Sequence, residues 1–174
     1  MEMMVAVVIL GIMIAAALPS YRGWSENTQI RTAAESVLSG LQLARAEAAR
    51  RNTNVSFAVN GNNWSVNVQA TGAASDAFYT PAATVQSRNG TEGTRHALIT
   101  ATQNAITFNG SGRVTPTPAA SSVFAVTNPT GGACATSANL SGMRCLNVVV
   151  EPGGKIWMCD PALNGSGNPQ ACAP

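Results

Sequence analysis

EMMVAVVILGIMIAAALPSYRGW, residues 2–24, runs directly into SENTQIRTAAESVLSGLQLARAEAARR, residues 25–51, and the contrast between the two stretches decides the fold. From Met3 to Leu18 no side chain is charged or polar. A helix that is apolar on every side has to be buried, in lipid or in protein. The second stretch is patterned differently. Ile30, Ala34, Val37, Leu41, Ala44 and Ala48 recur at steps of four and three, the spacing of one apolar stripe on an α-helix. Arg31, Glu35, Gln42 and Glu47 occupy the opposite positions. Arg45, Arg50 and Arg51 fall in the last turns, where cations complement the helix dipole, and Asn52 is the expected stop. A coiled coil would need a longer repeat with ordered flanking charges. The stripe is therefore expected to pack on a sheet.

The apolar run falls slightly short of the about 20 residues that a bilayer span takes. A truncated signal peptide is the competing reading, but the run lacks a basic leading region and continues into a helix. Glu2 argues against that alternative, because a carboxylate at the edge of an apolar span is costly unless paired and so marks function. Tyr21 and Trp24 stand where interfacial aromatics belong. Gly11 and Pro19 are two weak points in the same helix.

Beyond the helix the pattern is that of short strands. Val55, Phe57 and Val59 alternate, Asn60-Gly61-Asn62-Asn63 turns the chain, and Trp64, Val66 and Val68 alternate again, which is a strong hairpin signal. Trp64 is expected in the core, facing Phe57 across this hairpin. Residues 70–95 are polar and rich in Gly, Ala and Ser, and read as a long irregular loop or edge region. Further strands are expected at 97–100, 105–108, 123–126, 145–150 and 155–159, followed by a loop-like tail to Pro174. One long helix followed by strands at hairpin spacing indicates an α+β fold: a long N-terminal helix packed on an antiparallel β-sheet domain. The expected division is an apolar helix at 1–24 and a globular domain at 25–174, the latter comprising an amphipathic helix at 25–52 and a β-domain at 53–174.

The net charge of +2, with 10% of residues charged, is too mild to imply a polyanionic partner by itself. Cys134, Cys145, Cys159 and Cys172 all lie in the last quarter of the chain, none in a CxxC, with a single histidine, His96. Two disulfides fit this better than a zinc site and point to an oxidising compartment. Four cysteines allow three connectivities. The sequential pairing Cys134–Cys145 and Cys159–Cys172 is favoured, because each bridge would tie down a local Gly/Ser/Asn-rich loop. No nucleophile–base set is present, and His96 reads as a loop or strand-end residue rather than a general base. Gly110-Ser111-Gly112 reads as a turn, since no lysine follows it in a strand-to-helix setting. No catalysis, cofactor, metal or small-molecule substrate is expected.

Two motifs carry a resemblance. Glu2, the apolar run and Ala17-Leu18-Pro19-Ser20-Tyr21 resemble the start of type IV pilins and type II secretion pseudopilins. In that superfamily a leader is cut after a glycine and the new N-terminus is methylated. A glutamate stands at the fifth mature position, with a proline further along at the separation seen here between Glu2 and Pro19. On that comparison Met1 takes the fourth mature position, so a leader and about three residues are expected upstream of it. Leu43-Ala44-Arg45-Ala46-Glu47-Ala48-Ala49-Arg50-Arg51-Asn52 resembles the helix end of the GspH/FimT branch, as do Phe108-Asn109-Gly110 and the closing GGKIWMCDP, residues 153–161.

The resemblance implies a structural subunit of a type IV pilus or a type II secretion pseudopilus. Such a subunit is anchored by one span in the bacterial inner membrane with its soluble domain in the periplasm. It then passes into a filament with other pilin or pseudopilin subunits. Glu2 would attract the N-terminal amine of a neighbouring subunit, and helical order would be lost between Gly11 and Pro19 in the filament core. The ending from Met158-Cys159-Asp160-Pro161 to Ala171-Cys172 is similar to FimU-like minor pilins and favours a minor pilin that primes or caps a filament. A major pilin of the same branch is the alternative. Some FimT-like proteins bind DNA through a basic motif in the last hairpin. Here that stretch is Gly154-Lys155-Ile156-Trp157, which leaves Lys155 and Trp157 as the candidate nucleic-acid contact.

Overall fold

The computed structural model describes residues 2–72, 80–163, 165 and 167–172, with the side chains of residues 2 and 16–20 outside the description. One helix, α1 (Glu2–Arg51), precedes eight strands. These are β1 (Val55–Asn60), β2 (Asn63–Val68), β3 (Ala83–Arg88), β4 (Leu98–Ala101), β5 (Ala105–Phe108), β6 (Ser122–Thr127), β7 (Leu146–Val150) and β8 (Ile156–Cys159). The fold is α+β, as the sequence pattern implies.

The amphipathic half of α1 does what its stripe requires. Ile30, Ala34, Val37, Leu41, Ala44 and Ala48 are all fully buried. The helix stops at Asn52, whose φ of 50° is the left-handed conformation of a helix C-terminal cap. Thr53 N donates to Ala48 O at 3.2 Å and Asn52 N to Ala49 O at 3.4 Å, the paired bonds of a Schellman motif that satisfy carbonyls left open by the helix end.

The strands form two antiparallel sheets rather than one. The first has the order β3-β2-β1-β5 and the second β4-β6-β7-β8. β4 and β5 are neighbours in sequence but belong to different sheets, so the turn between them is a crossover and not a hairpin. Both sheets lie against α1. Phe57 of β1 meets Phe124 of β6 edge-on, ring centroids 5.6 Å apart at 85°, so the sheets share one core beneath the helix.

Trp64 is buried and its ring lies 5.6 Å from Phe57, although the residue directly opposite it in the ladder is Val59. Its indole Nε1 donates to Ser36 Oγ on α1 at 2.9 Å. Gly40 makes this packing fit, because a Cβ there would stand 2.7 Å from Phe57 Cε2 and 3.1 Å from the Trp64 ring.

Residues 70–95 are not wholly irregular. They contain β3, which pairs with β2 at the sheet edge. Its residues are exposed or half-buried throughout, so it shows no alternation by which it could be read as a strand. Part of the expected loop, residues 73–79, lies outside the described residues.

Candidate assembly interface

Among the described residues, nothing in the chain covers residues 3–15 of α1. Met3 is 83% exposed, Val7 68% and Ile12 64%. Apolar residues therefore face outward on every side of the helix, a surface that soluble monomers do not carry without a partner. Among the described residues, no helix is long and apolar enough to cross a membrane. α1 runs through both Gly11 and Pro19, and Gly11 has open space where a side chain would stand. Glu2 lies in the first turn of α1. The side chains of Glu2 and Pro19 fall outside the described residues.

Where the helix meets the globular domain the contacts change from none to polar. Tyr21 and Trp24 remain exposed, their rings 5.9 Å apart. One turn later, three side chains of α1 reach the loops beside the second sheet. Glu26 accepts from the amide of buried Asn128, and its Oε1 lies 3.0 Å from His96 Nδ1. Asn27 Oδ1 accepts from Arg144 N at 2.8 Å, and Gln29 Oε1 accepts from His96 N at 3.1 Å. The Asn128 amide, and then His96, hold the Glu26 carboxyl below its ordinary pKa. Only from Ile30 onward is the docking apolar. His96 is a turn residue as expected, but its pairing with Glu26 across 70 positions has no signature in the sequence.

At the other end of the helix, Glu47 gathers Arg50 and Arg51. Arg50 Nη2 and Arg51 Nε each donate to Glu47 Oε2 at 2.7 Å. These bonds, Arg50 first, draw the Glu47 pKa down to about 2. Arg50 and Arg51 are thus engaged within the helix itself.

The cysteines pair sequentially. Cys134–Cys145 and Cys159–Cys172 have Cα atoms 5.5 and 4.9 Å apart, within the normal range for a bridge. They close the loop between β6 and β7 and the tail after β8. The tail is held further by Asp160, which is buried and takes two bonds from the Arg144 guanidinium, at 3.1 and 2.6 Å.

In the last hairpin, Lys155 Nζ is 3.4 Å from Glu151 Oε1 and 5.3 Å from the centre of the Trp157 ring. Trp157 lies opposite Val149 in the ladder and is half-buried. The lysine is thus paired with a carboxylate in its own hairpin. Gly154, with φ of 86°, sits so close to the Gly112 carbonyl that no side chain fits, which locks this hairpin to the turn after β5. That turn is built by Asn109 Oδ1, which accepts from Ser111 N and Arg113 N at 3.1 Å each. Among the described residues, no group of histidine, cysteine and acidic side chains is placed to hold a metal.

Comparison with known proteins agrees with this architecture. Two crystal forms of the type IV minor pilin FimU of Pseudomonas aeruginosa are similar to the chain, each at 20% identity. The first gives a TM-score of 0.55 over 86% of this chain and 98% of that one, and the second 0.52 over 82% and 98%. At that identity the likeness establishes a shared pilin fold. No curated protein matches the sequence significantly. Residues 33–154, well over half of the chain, match the family described as type II transport protein GspH. The match begins in the buried stripe of α1 and ends at Gly154, so it takes in most of the amphipathic helix and every strand except β8, and on that basis the chain belongs to the GspH family, whose members are structural subunits rather than enzymes.

Proposed function

We propose that this protein is a minor pilin or pseudopilin that primes or caps a filament of the type IV pilus or type II secretion kind. The observation that carries the reading is the apolar half of α1, exposed on all sides although the rest of the molecule has a complete core. Such a helix needs an environment supplied from outside. The inner membrane would supply it before assembly, and the helices of other subunits afterwards. Residues 1–24 would form the membrane and filament-core segment, and 25–174 the globular domain displayed on the filament. Family membership and the FimU-like fold support this reading.

Glu2 would be the residue that sets subunit register. A carboxylate among apolar helices is weakly screened, so its attraction to the N-terminal amine of a neighbouring subunit favours one axial offset. Gly11 and Pro19 would allow the helix to unwind locally in the packed filament.

The test is assembly in cells lacking the native copy of this gene. Glu2→Gln should leave the protein in the membrane fraction and sharply reduce its recovery in sheared filaments. Normal recovery of the variant would refute the role of Glu2. The minor-subunit reading is tested separately by stoichiometry: the chain should be a small fraction of the subunits in purified filaments, and a majority share would make it the major pilin.

A further inference from the structure

A groove of about 410 Å³ opens between α1 and the outer edge of the second sheet. That is the size of sites that hold small ligands or a few side chains. Leu146 of β7 and Met158 of β8, both half-buried, form its floor. Trp24 stands over one end, 65% exposed. Arg31 and Arg144 line its sides, with Asp160 beside Arg144.

The charges are unevenly satisfied. Arg144 is committed to buried Asp160 through two hydrogen bonds. Among the described residues Arg31 has only Glu35, one turn along the same helix, in a pair whose side chains are 72% and 52% exposed. Such a pair contributes little and is readily exchanged. The groove therefore offers an apolar floor, an aromatic wall and one guanidinium free to turn inward. A guanidinium in that position selects a carboxylate, which it binds in a two-pronged geometry.

We propose that this groove receives a carboxylate-bearing, otherwise apolar loop from the globular domain of a neighbouring pilin or pseudopilin subunit. The inference rests on the filament reading above and names the chemistry of one contact within it. Two observations favour a protein occupant over lipid headgroups. First, Leu10, Ile14, Tyr21, Trp24, Thr28 and Arg31 fall on one face of α1 by helical spacing, so the groove continues the exposed apolar surface that the filament would cover. Secondly, at 1.5 Å per residue Arg31 stands about 20 Å beyond Leu18, where the apolar run ends. The headgroup layer of one leaflet is only about 5–8 Å thick, which leaves Arg31 and the end of the groove that it lines beyond its reach.

The experiment is photo-crosslinking of the full chain in filament-forming cells. A photoreactive residue is placed at position 28, and a control at position 12 in the apolar half of α1. Position 28 should capture a globular-domain peptide of another subunit that contains Asp or Glu. Arg31→Glu should lower that yield about tenfold by setting like charges against each other, and Arg31→Lys should lower it by less, because the ammonium keeps the charge but not the two-pronged geometry. A phospholipid adduct at position 28 would overturn the proposal. So would a captured subunit segment without a carboxylate, or a yield unchanged by Arg31→Glu. Subunit adducts at position 12 without any at position 28 would leave filament assembly standing and remove the groove from it. Loss of subunit adducts at both positions would count against the filament reading itself, and the groove inference would fall with it.

Discussion

The two halves of α1 share one continuous helix and differ in almost everything else. Between residues 30 and 48 each apolar side chain of the stripe has a place in the chain's own core, and the polar positions face outward. Between residues 3 and 14 apolar side chains face every direction and none is covered. One half is packed by its own molecule, and the described residues of the other are left uncovered by it. Helix formation therefore does not measure how much a segment contributes to a domain. What counts is whether its apolar face is matched by the rest of the chain.

The sharpest way to break that contrast is to remove equivalent side chains from each half. Leu41→Ala should destabilise the globular domain by about 2–5 kcal/mol, the cost of a buried cavity. Ile12→Ala should shift it by less than about 0.5 kcal/mol, as at an exposed site. Thermal unfolding of the full chain in detergent distinguishes them, and a comparable loss for both would mean that the first half packs on the domain after all. Reduction is of comparable size, counted per bridge. Opening both disulfides should cost about 2–4 kcal/mol per bridge and lower the melting temperature, while leaving the helical circular dichroism of the N-terminal half in place.

Gly40→Ala should destabilise by about 1–3 kcal/mol, because the added methyl collides with the Phe57 ring. The same substitution at Gly11, where nothing is near, should be neutral or slightly stabilising in the free chain. A destabilised G11A would show that the exposed half has contacts of its own.

The smallest loss expected within the folded half lies at its boundary with the apolar half. Glu26→Gln should cost about 1–2 kcal/mol at neutral pH, since it weakens a charged hydrogen bond to a buried amide. It should also change the acid limb of stability. Glu26 and Glu47 are both held below the ordinary carboxylate value of 4.5, so each contributes fully above that value. The contribution is lost as pH falls through the lowered values, toward about 2 for Glu47. Melting temperature measured against pH should fall less steeply in E26Q than in the parent. An unchanged slope would show that Glu26 does not tie the helix to the domain.

Much of this was legible in the sequence, for identifiable reasons. The stripe from Ile30 to Ala48 and the β1–β2 hairpin announce themselves by period, because each has one buried and one exposed face. β3 does not, because neither face is fully buried. The division into two sheets was hidden as well. The turn between β4 and β5 has the length of a hairpin, and only the pairing of β5 with β1 and of β4 with β6 separates them. At the candidate interface, the apolar run and Glu2 stand out by composition alone. The Glu26–His96–Asn128 contact and the Arg31 groove do not, since each joins residues far apart in the chain. Trp157 illustrates the opposite difficulty: a conspicuous residue whose surroundings, Lys155 and Val149, lie within its own hairpin.

The polar contacts at Glu26, Asn27 and Gln29 also have a mechanical meaning. A filament under tension would pass load along its packed helices, and each globular domain would receive its share through the first points at which it grips its own helix. Apolar contacts are non-directional, so a small displacement weakens each of them only gradually. Hydrogen bonds of about 3 Å fail once they are displaced by an ångström or so. A row of such bonds immediately before the apolar stripe would act as a shear pin, resisting axial slip of the domain on its shaft before the core is strained.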